Sequence, residues 1–254
     1  MGDCNPTKYP MDPKEQIGHD EKGRPVDASQ YISMVGGLRY VVHTRPDIAY
    51  SVGIVNRYME RPTKLHLDAV KRIMRYVKGT TQYGLVYSKD SGNNILTGFS
   101  DSDLDGHLDD RKSTSGMVFY LNKSAITRVS QKQKCVALSS CEAEFMAATA
   151  AAFQGIWLCN ILSQITSETV GPVILCIDNH SAIDLAKNPM FHGKSKHIDI
   201  RYHFIRECVE RGEVQLKHVC SSDQRADILT KGLATIKFER MRNLLGVKNL
   251  GRHI

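Results

Sequence analysis

Residues 98 to 107 read GFSDSDLDGH, with Asp101, Asp103 and Asp105 at alternate positions and Gly106 behind them. The pattern D-x-D-x-D-G opens the calcium loop of an EF-hand, which also needs a bidentate Glu at its twelfth position and a helix on each side. Counting from Asp101, the twelfth position is Lys112, and the preceding ILTGF is β-like rather than helical. After LDDRKSTS the chain enters another strand-like run. The stretch is therefore the end of an apolar strand and not a calcium loop.

Working outward, the period of the apolar residues divides the chain. Residues 1–28 are rich in Pro, Gly, Asp and Lys and are expected to form a flexible arm. From Tyr31 the pattern is helical: YISMVGGLRYVV, then PDIAYSVGIVNRYM opened by Pro46, then KLHLDAVKRIMRYVKG closed by Gly79. In the last of these Leu67, Val70, Ile73, Met74 and Val77 make one face. Lys64, Lys71, Arg72, Arg75 and Lys78 lie elsewhere, as a solvated face or a phosphate-contacting one. Beyond Tyr83 the period becomes 2, and YGLVYS, ILTGFS, GMVFYL and AITRVS read as short strands. A long helix, EAEFMAATAAAFQGIWLCNILSQI, precedes the apolar strand VILCID, a short helix reaching Pro189, the helix HIDIRYHFIRECVERG and the strand VQLKHV. The last substantial helix is expected to begin at DQRADILTKGL, before a basic tail. Strands first, then helix and strand in alternation, predict an α/β fold with a mixed sheet and helices on its faces.

Composition narrows the function classes. The 254 residues are 41% hydrophobic with a formal net charge of +7, which suits a packed globular chain with a basic surface. The seven cysteines include no C-x-x-C pair and encode neither a disulfide framework nor a zinc ribbon, so a reducing, intracellular setting, cytoplasmic or nuclear, is expected. His192, His197, His203 and Cys208 match no zinc spacing. No run of eighteen apolar residues suggests a membrane span, and position 6 is Pro where a myristoylation signal has Ser or Thr.

Asp101 ends one apolar strand and Asp178 ends another, and ligands of α/β sheets gather at strand mouths. Two carboxylates brought together there raise each other's pKa unless a cation neutralises them, and Mg²⁺ suits such oxygen ligands. Alternatively each caps the turn that follows, as Asp178 could do before Asn179-His180-Ser181. Glu142 and Glu144 in the long helix lie about 200° apart, so periodicity alone does not choose between them.

Five blocks in order, GFSDSD, ALSSCEAEFMAA, ILCIDNHSAI, KSKHIDIRYHFIRE and DQRADILTKGL, resemble the ribonuclease H domain of Ty1/copia-type retrotransposon Pol polyproteins over residues 91–235. Residues 29–90 resemble the segment that follows the reverse-transcriptase palm, as a helical remnant; 236–254 is the basic C-terminal tail. No Y-V-D-D-like motif occurs, so polymerase activity is not expected. The resemblance implies a ribonuclease H-like fold and hydrolysis of the RNA strand of an RNA–DNA hybrid by four carboxylates with two Mg²⁺ ions, Mn²⁺ being a possible substitute. It assigns Asp101, Glu144, Asp178 and Asp227 to those carboxylates. Arg111, Lys112, Lys132, Lys134, Lys194 and Lys196 are candidates for phosphate contact. No small-molecule substrate and no membrane are expected as partners. Family members have tryptophans near Asp105 and at position 128, where this chain has Gly106-His107 and Arg128, which predicts looser packing near the first carboxylate. No His lies in the loop 220–223, so a His-assisted release of product is not expected. A catalytically idle remnant or nucleic-acid-binding module with this fold is the second reading.

Overall fold

A computed structural model describes residues 4–15, 17–89, 94–104, 106–187 and 196–251, with side chains from 203 onward in the last segment. Three helices come first, α1 (Ala28–Val41), α2 (Ala49–Val55) and α3 (Lys64–Gly79), with a short strand β1 (Tyr83–Leu85) behind them. The sheet follows as β2 (Leu96–Ser102), β3 (Thr114–Leu121) and β4 (Ser124–Lys132). Then come α4 (Ser140–Thr166), β5 (Val173–Ile177), α5 (His180–Lys187), α6 (Lys196–Glu210), β6 (Val214–His218), α7 (Thr235–Leu244) and β7 (Val247–Asn249).

The strands stack in the order β4-β3-β2-β5-β6, with β3 antiparallel to both β4 and β2, and β2, β5 and β6 mutually parallel. This is the mixed, helix-flanked sheet that the strand-then-alternation pattern predicts, and it agrees with the ribonuclease H-like fold that the resemblance implies. Because successive side chains of a strand point to opposite faces, β3 sends Val118 and Tyr120 into one core and Phe119 into the other. The first core is shared with α1, α2, α3 and α7; the second with α4, α5 and α6.

Three expectations are corrected. Residues 4–15 and 17–28 are not a free arm: Met11 and Ile17 are buried, and the basic face of α3 grips the segment. Arg72 pairs with Asp12 and Glu15, Arg75 donates to the Asn5 carbonyl, and Lys78 donates to that of Cys4. Opposite charge and backbone carbonyl acceptors substitute for the apolar periodicity this segment lacks. Second, the helix expected from DQRADILTKGL is only a five-residue 3-10 turn, Arg225–Leu229, because its residues are buried against the sheet. Third, the basic tail folds: α7 buries Phe238 and Met241, and β7 pairs antiparallel with β1, so YGLVYS contributes to a separate two-stranded sheet.

The residues at the altered tryptophan positions make contacts of their own, although a cavity of about 550 Å³ is lined by Ile126, Thr127 and Arg128. His107 is buried at 4% exposure, with its Nδ1 2.8 Å from Asp110 and its ring parallel to that of Tyr58. Arg128 reaches across to donate to the carbonyls of Val42 and His43.

Candidate active site

β2 and β5 run parallel as neighbours, so their C-terminal ends open on the same edge of the sheet. Asp101 stands at that end of β2, and Asp178 directly follows β5. The long helix α4 starts from Ser139, whose side chain accepts the Glu142 N–H at 3.2 Å. That start decides between the two glutamates. Glu142 turns back to accept the Leu138 N–H at 2.9 Å and closes the helix entrance, whereas Glu144 faces the sheet and accepts the Ser102 N–H at 3.1 Å.

One carboxylate oxygen from each of Asp101, Glu144 and Asp178 lies within 4.8 Å of the others. Asp101 and Glu144 are buried, and Glu144 Oε2 has no hydrogen-bond partner. Burial and the neighbouring Asp101 and Asp178 push the Glu144 carboxyl far above the ordinary carboxylate range. Burial raises Asp101 as well, against the opposing charge of Lys231. A divalent cation replaces those protons in such a setting, and three hard oxygen donors with a buried orphan oxygen among them suit Mg²⁺ or Mn²⁺.

Asp227 is not part of that trio. It sits in the 3-10 turn with its side chain 1% exposed, between two lysines: Lys231 Nζ is 2.6 Å from its Oδ1, and Lys237 Nζ contacts its Oδ2. Lys231 also reaches Asp101 Oδ2 at 3.4 Å, and the Thr230 hydroxyl donates to that same oxygen. The turn can approach because β3 carries Gly116 opposite Asp101. A Cβ there would meet Thr230 Cγ2 at 2.7 Å and Leu229 Cβ at 2.9 Å. Gln224 fixes the turn from its other end by donating to the Ser100 carbonyl at 2.8 Å.

Asp103, the second acid of the opening stretch, is turned away to accept the Thr114 N–H, and burial lifts its carboxyl to about 6. Sequence reasoning missed several groups near the trio. Ser221 donates to Asp178 at 2.9 Å, and His180 stacks on His218 with ring centroids 3.7 Å apart where β5 and β6 end. The serine and histidine positions carried no local pattern. Lys231 follows Asp227 by four residues, a spacing that brings side chains together on one turn.

Among the described basic candidates, two are held by an acidic neighbour and two are exposed. Lys132 and Lys112 both turn to Asp110, at 2.8 and 3.6 Å. Although partial burial works the other way, the hydrogen bonds from Lys132 and from the Lys112 backbone pull the Asp110 carboxyl down to about 2. Arg111, at φ 53°, and Lys134 are exposed. Lys194 and the side chain of Lys196 lie outside the described residues.

No family model matches the chain. Among curated proteins, the retrovirus-related Pol polyprotein from transposon TNT 1-94 of Nicotiana tabacum is 43% identical over 229 residues, 90% of this chain and 17% of that protein. The corresponding polyprotein from transposon RE1 of Arabidopsis thaliana is 38% identical over 96% of this chain, again 17% of its own length. Among solved structures, the N-terminal RNase H domain of a Mycobacterium tuberculosis protein aligns with TM-score 0.41 and 10% identity over 59% of this chain and 98% of that one. The chain thus spans about a sixth of the curated relatives it matches. With 90 to 96% of its residues aligned to them, it belongs to the retrovirus-related Pol polyproteins of copia-type transposons.

Proposed function

We propose that the chain is a divalent-metal-dependent ribonuclease that hydrolyses the RNA strand of an RNA–DNA hybrid, with Asp101, Glu144 and Asp178 holding the metal. The observation that carries this reading is the meeting of those three carboxylates at the strand mouths, with the buried Glu144 Oε2 left without a partner. A divalent cation bound there lowers the pKa of a coordinated water and offsets charge on the scissile phosphodiester.

The chain's own residues supply the rest. Ser102 and Ser221 hold Glu144 and Asp178 in orientation through the hydrogen bonds already described, and Thr230 does the same for Asp101. Such supporting partners orient the ligating oxygens before any cation arrives. Lys134 and Arg111 are exposed, which supports their contact with backbone phosphates; such contacts position a duplex without reading its sequence. Choice of the RNA strand follows from its 2′-hydroxyl, and choice of the hybrid from backbone shape. Attack by water gives a 5′-phosphate and a 3′-hydroxyl. None of the seven cysteines is joined in a disulfide, which suits a reducing, intracellular setting.

The test is cleavage of a labelled hybrid by the purified chain with Mg²⁺, beside an Asp178→Asn variant. Cleavage that falls about 100-fold or more in the variant is the expected result. Unchanged cleavage would remove Asp178 from the site, and hybrid binding without any cleavage by the wild-type chain would favour the nucleic-acid-binding module.

A further inference from the structure

The geometry points to Lys231 as a resident cation of this site: its ammonium fills the position between Asp101 and Asp227, so the carboxylates take one divalent ion rather than two. The inference rests on the metal reading just proposed and specifies its stoichiometry.

Lys231, whose side chain is 41% exposed, reaches inward as a bridge between two carboxylates. Its Nζ lies 2.6 Å from Asp227 Oδ1 and 3.4 Å from Asp101 Oδ2, and both carboxylate side chains are at most 2% exposed. Two buried like charges of this kind need a cation between them, and the lysine supplies it from within the same turn, where its backbone N–H also donates to the Asp227 carbonyl at 3.2 Å. Lys237, from α7, contacts the other oxygen of Asp227. Asp227 therefore offers each of its oxygens to an ammonium, and the approach left for a divalent ion lies among Asp101, Glu144 and Asp178, whose oxygens come within 4.8 Å of one another.

Charge points the same way. Asp101, Glu144, Asp178 and Asp227 bring four negative charges when ionised, and Lys231 and Lys237 return two positive ones. One divalent cation neutralises the remainder. A second would leave the pocket with a surplus of positive charge before any phosphate enters.

The number of ions can be counted without turnover. Titration of the full chain with Mn²⁺, followed by electron paramagnetic resonance of the free ion, is expected to give one bound equivalent for the wild type. Lys231→Met, which keeps the aliphatic stem and removes the charge, should raise this to two, and Lys231→Arg should restore one. Asp178→Asn should abolish the wild-type equivalent. Two equivalents on the wild-type chain would overturn the inference, as would a folded Lys231→Met variant, checked by circular dichroism, that still binds one. If the methionine variant does not fold, the wild-type count decides alone. No Mn²⁺ on the wild-type chain would instead sink the metal reading itself, so the two failures are distinguishable.

Discussion

Ser102 donates its backbone N–H to Oε1 of Glu144 at 3.1 Å, and so ties the last residue of β2 to the second turn of α4. This bond fixes one oxygen of the glutamate and leaves the other buried and partnerless. Much of the site's behaviour follows from that asymmetry.

The first consequence concerns pH. In the metal-free protein the folded-state pKa of Glu144 is raised above its unfolded value by burial and by Asp101 and Asp178. Its contribution to stability is then fully present below the ordinary glutamate value of about 4.3 and is lost as pH rises toward the raised one. With EDTA present, Glu144→Gln should remove part of this slope. The variant is expected to melt higher than the wild type near pH 8, each kcal/mol corresponding to about 2–4 °C for a chain of this size. It should show no further gain with Mg²⁺. A variant that melts lower than wild type in EDTA at that pH would count against the assignment.

Metal binding should also release protons, since Asp101 and Glu144 are both raised in its absence. Calorimetric titration with Mn²⁺ in two buffers of different ionisation enthalpy reads this directly. The apparent heat should differ between buffers, and the affinity should rise from pH 6 to pH 8. Identical heats would mean that the carboxylates are already ionised.

Gly116 is predicted to be a positional constraint on the site. Ala at 116 would drive its Cβ into Thr230 and Leu229, at 2.7 and 2.9 Å, and overpacking of this kind costs about 1–3 kcal/mol. The displaced turn carries Thr230, Lys231 and Asp227, so hybrid cleavage should fall by more than the loss of folded protein explains. Circular dichroism melts beside cleavage rates on the same preparation separate the two effects.

The helical segment should not melt separately from the sheet, because α1, α2 and α3 share one core with Phe99, Val118 and Tyr120. Within it, Arg45 pairs with buried Asp47 at 2.8 Å, and Asp47 also accepts from the Tyr76 hydroxyl at 2.5 Å. Asp47→Ala leaves Arg45 buried and uncompensated, at a cost of about 3–5 kcal/mol. A single cooperative denaturant transition with a lower midpoint is expected. Two separated transitions would show that helices and sheet are independent.

Asp110 pairs with Lys132 and Lys112 and offsets part of their positive charge. Removing it as Asp110→Ala frees two cations, and the dependence of hybrid affinity on salt should steepen by about one to two units of log–log slope. Lys134→Ala should make it shallower by about one. Binding isotherms at four or five salt concentrations are sufficient. A slope unaltered by both changes would place the hybrid elsewhere on the surface.

The sequence by itself determined the period switch near Tyr83, the strands whose ends carry Asp101 and precede Asp178, and the long helix that carries Glu144. These are legible because periodicity of 2 or 3.6 records which face of an element is buried. The choice of Glu144 over Glu142 was not available to periodicity. It depends on the Ser139 cap and on the Ser102 amide, which lies 42 residues away from Glu144. The folding of residues 4–15 and 17–28, the pairing of Lys132 and Lys112 with Asp110, and the lysine bridge between Asp101 and Asp227 were equally decided by tertiary structure alone. Thr230 meets Asp101 across 129 residues of chain, and Gln224 meets Ser100 across 124. Contacts at that separation leave no mark on local pattern, because the partners become neighbours only when the sheet edge and the turn behind it have packed together.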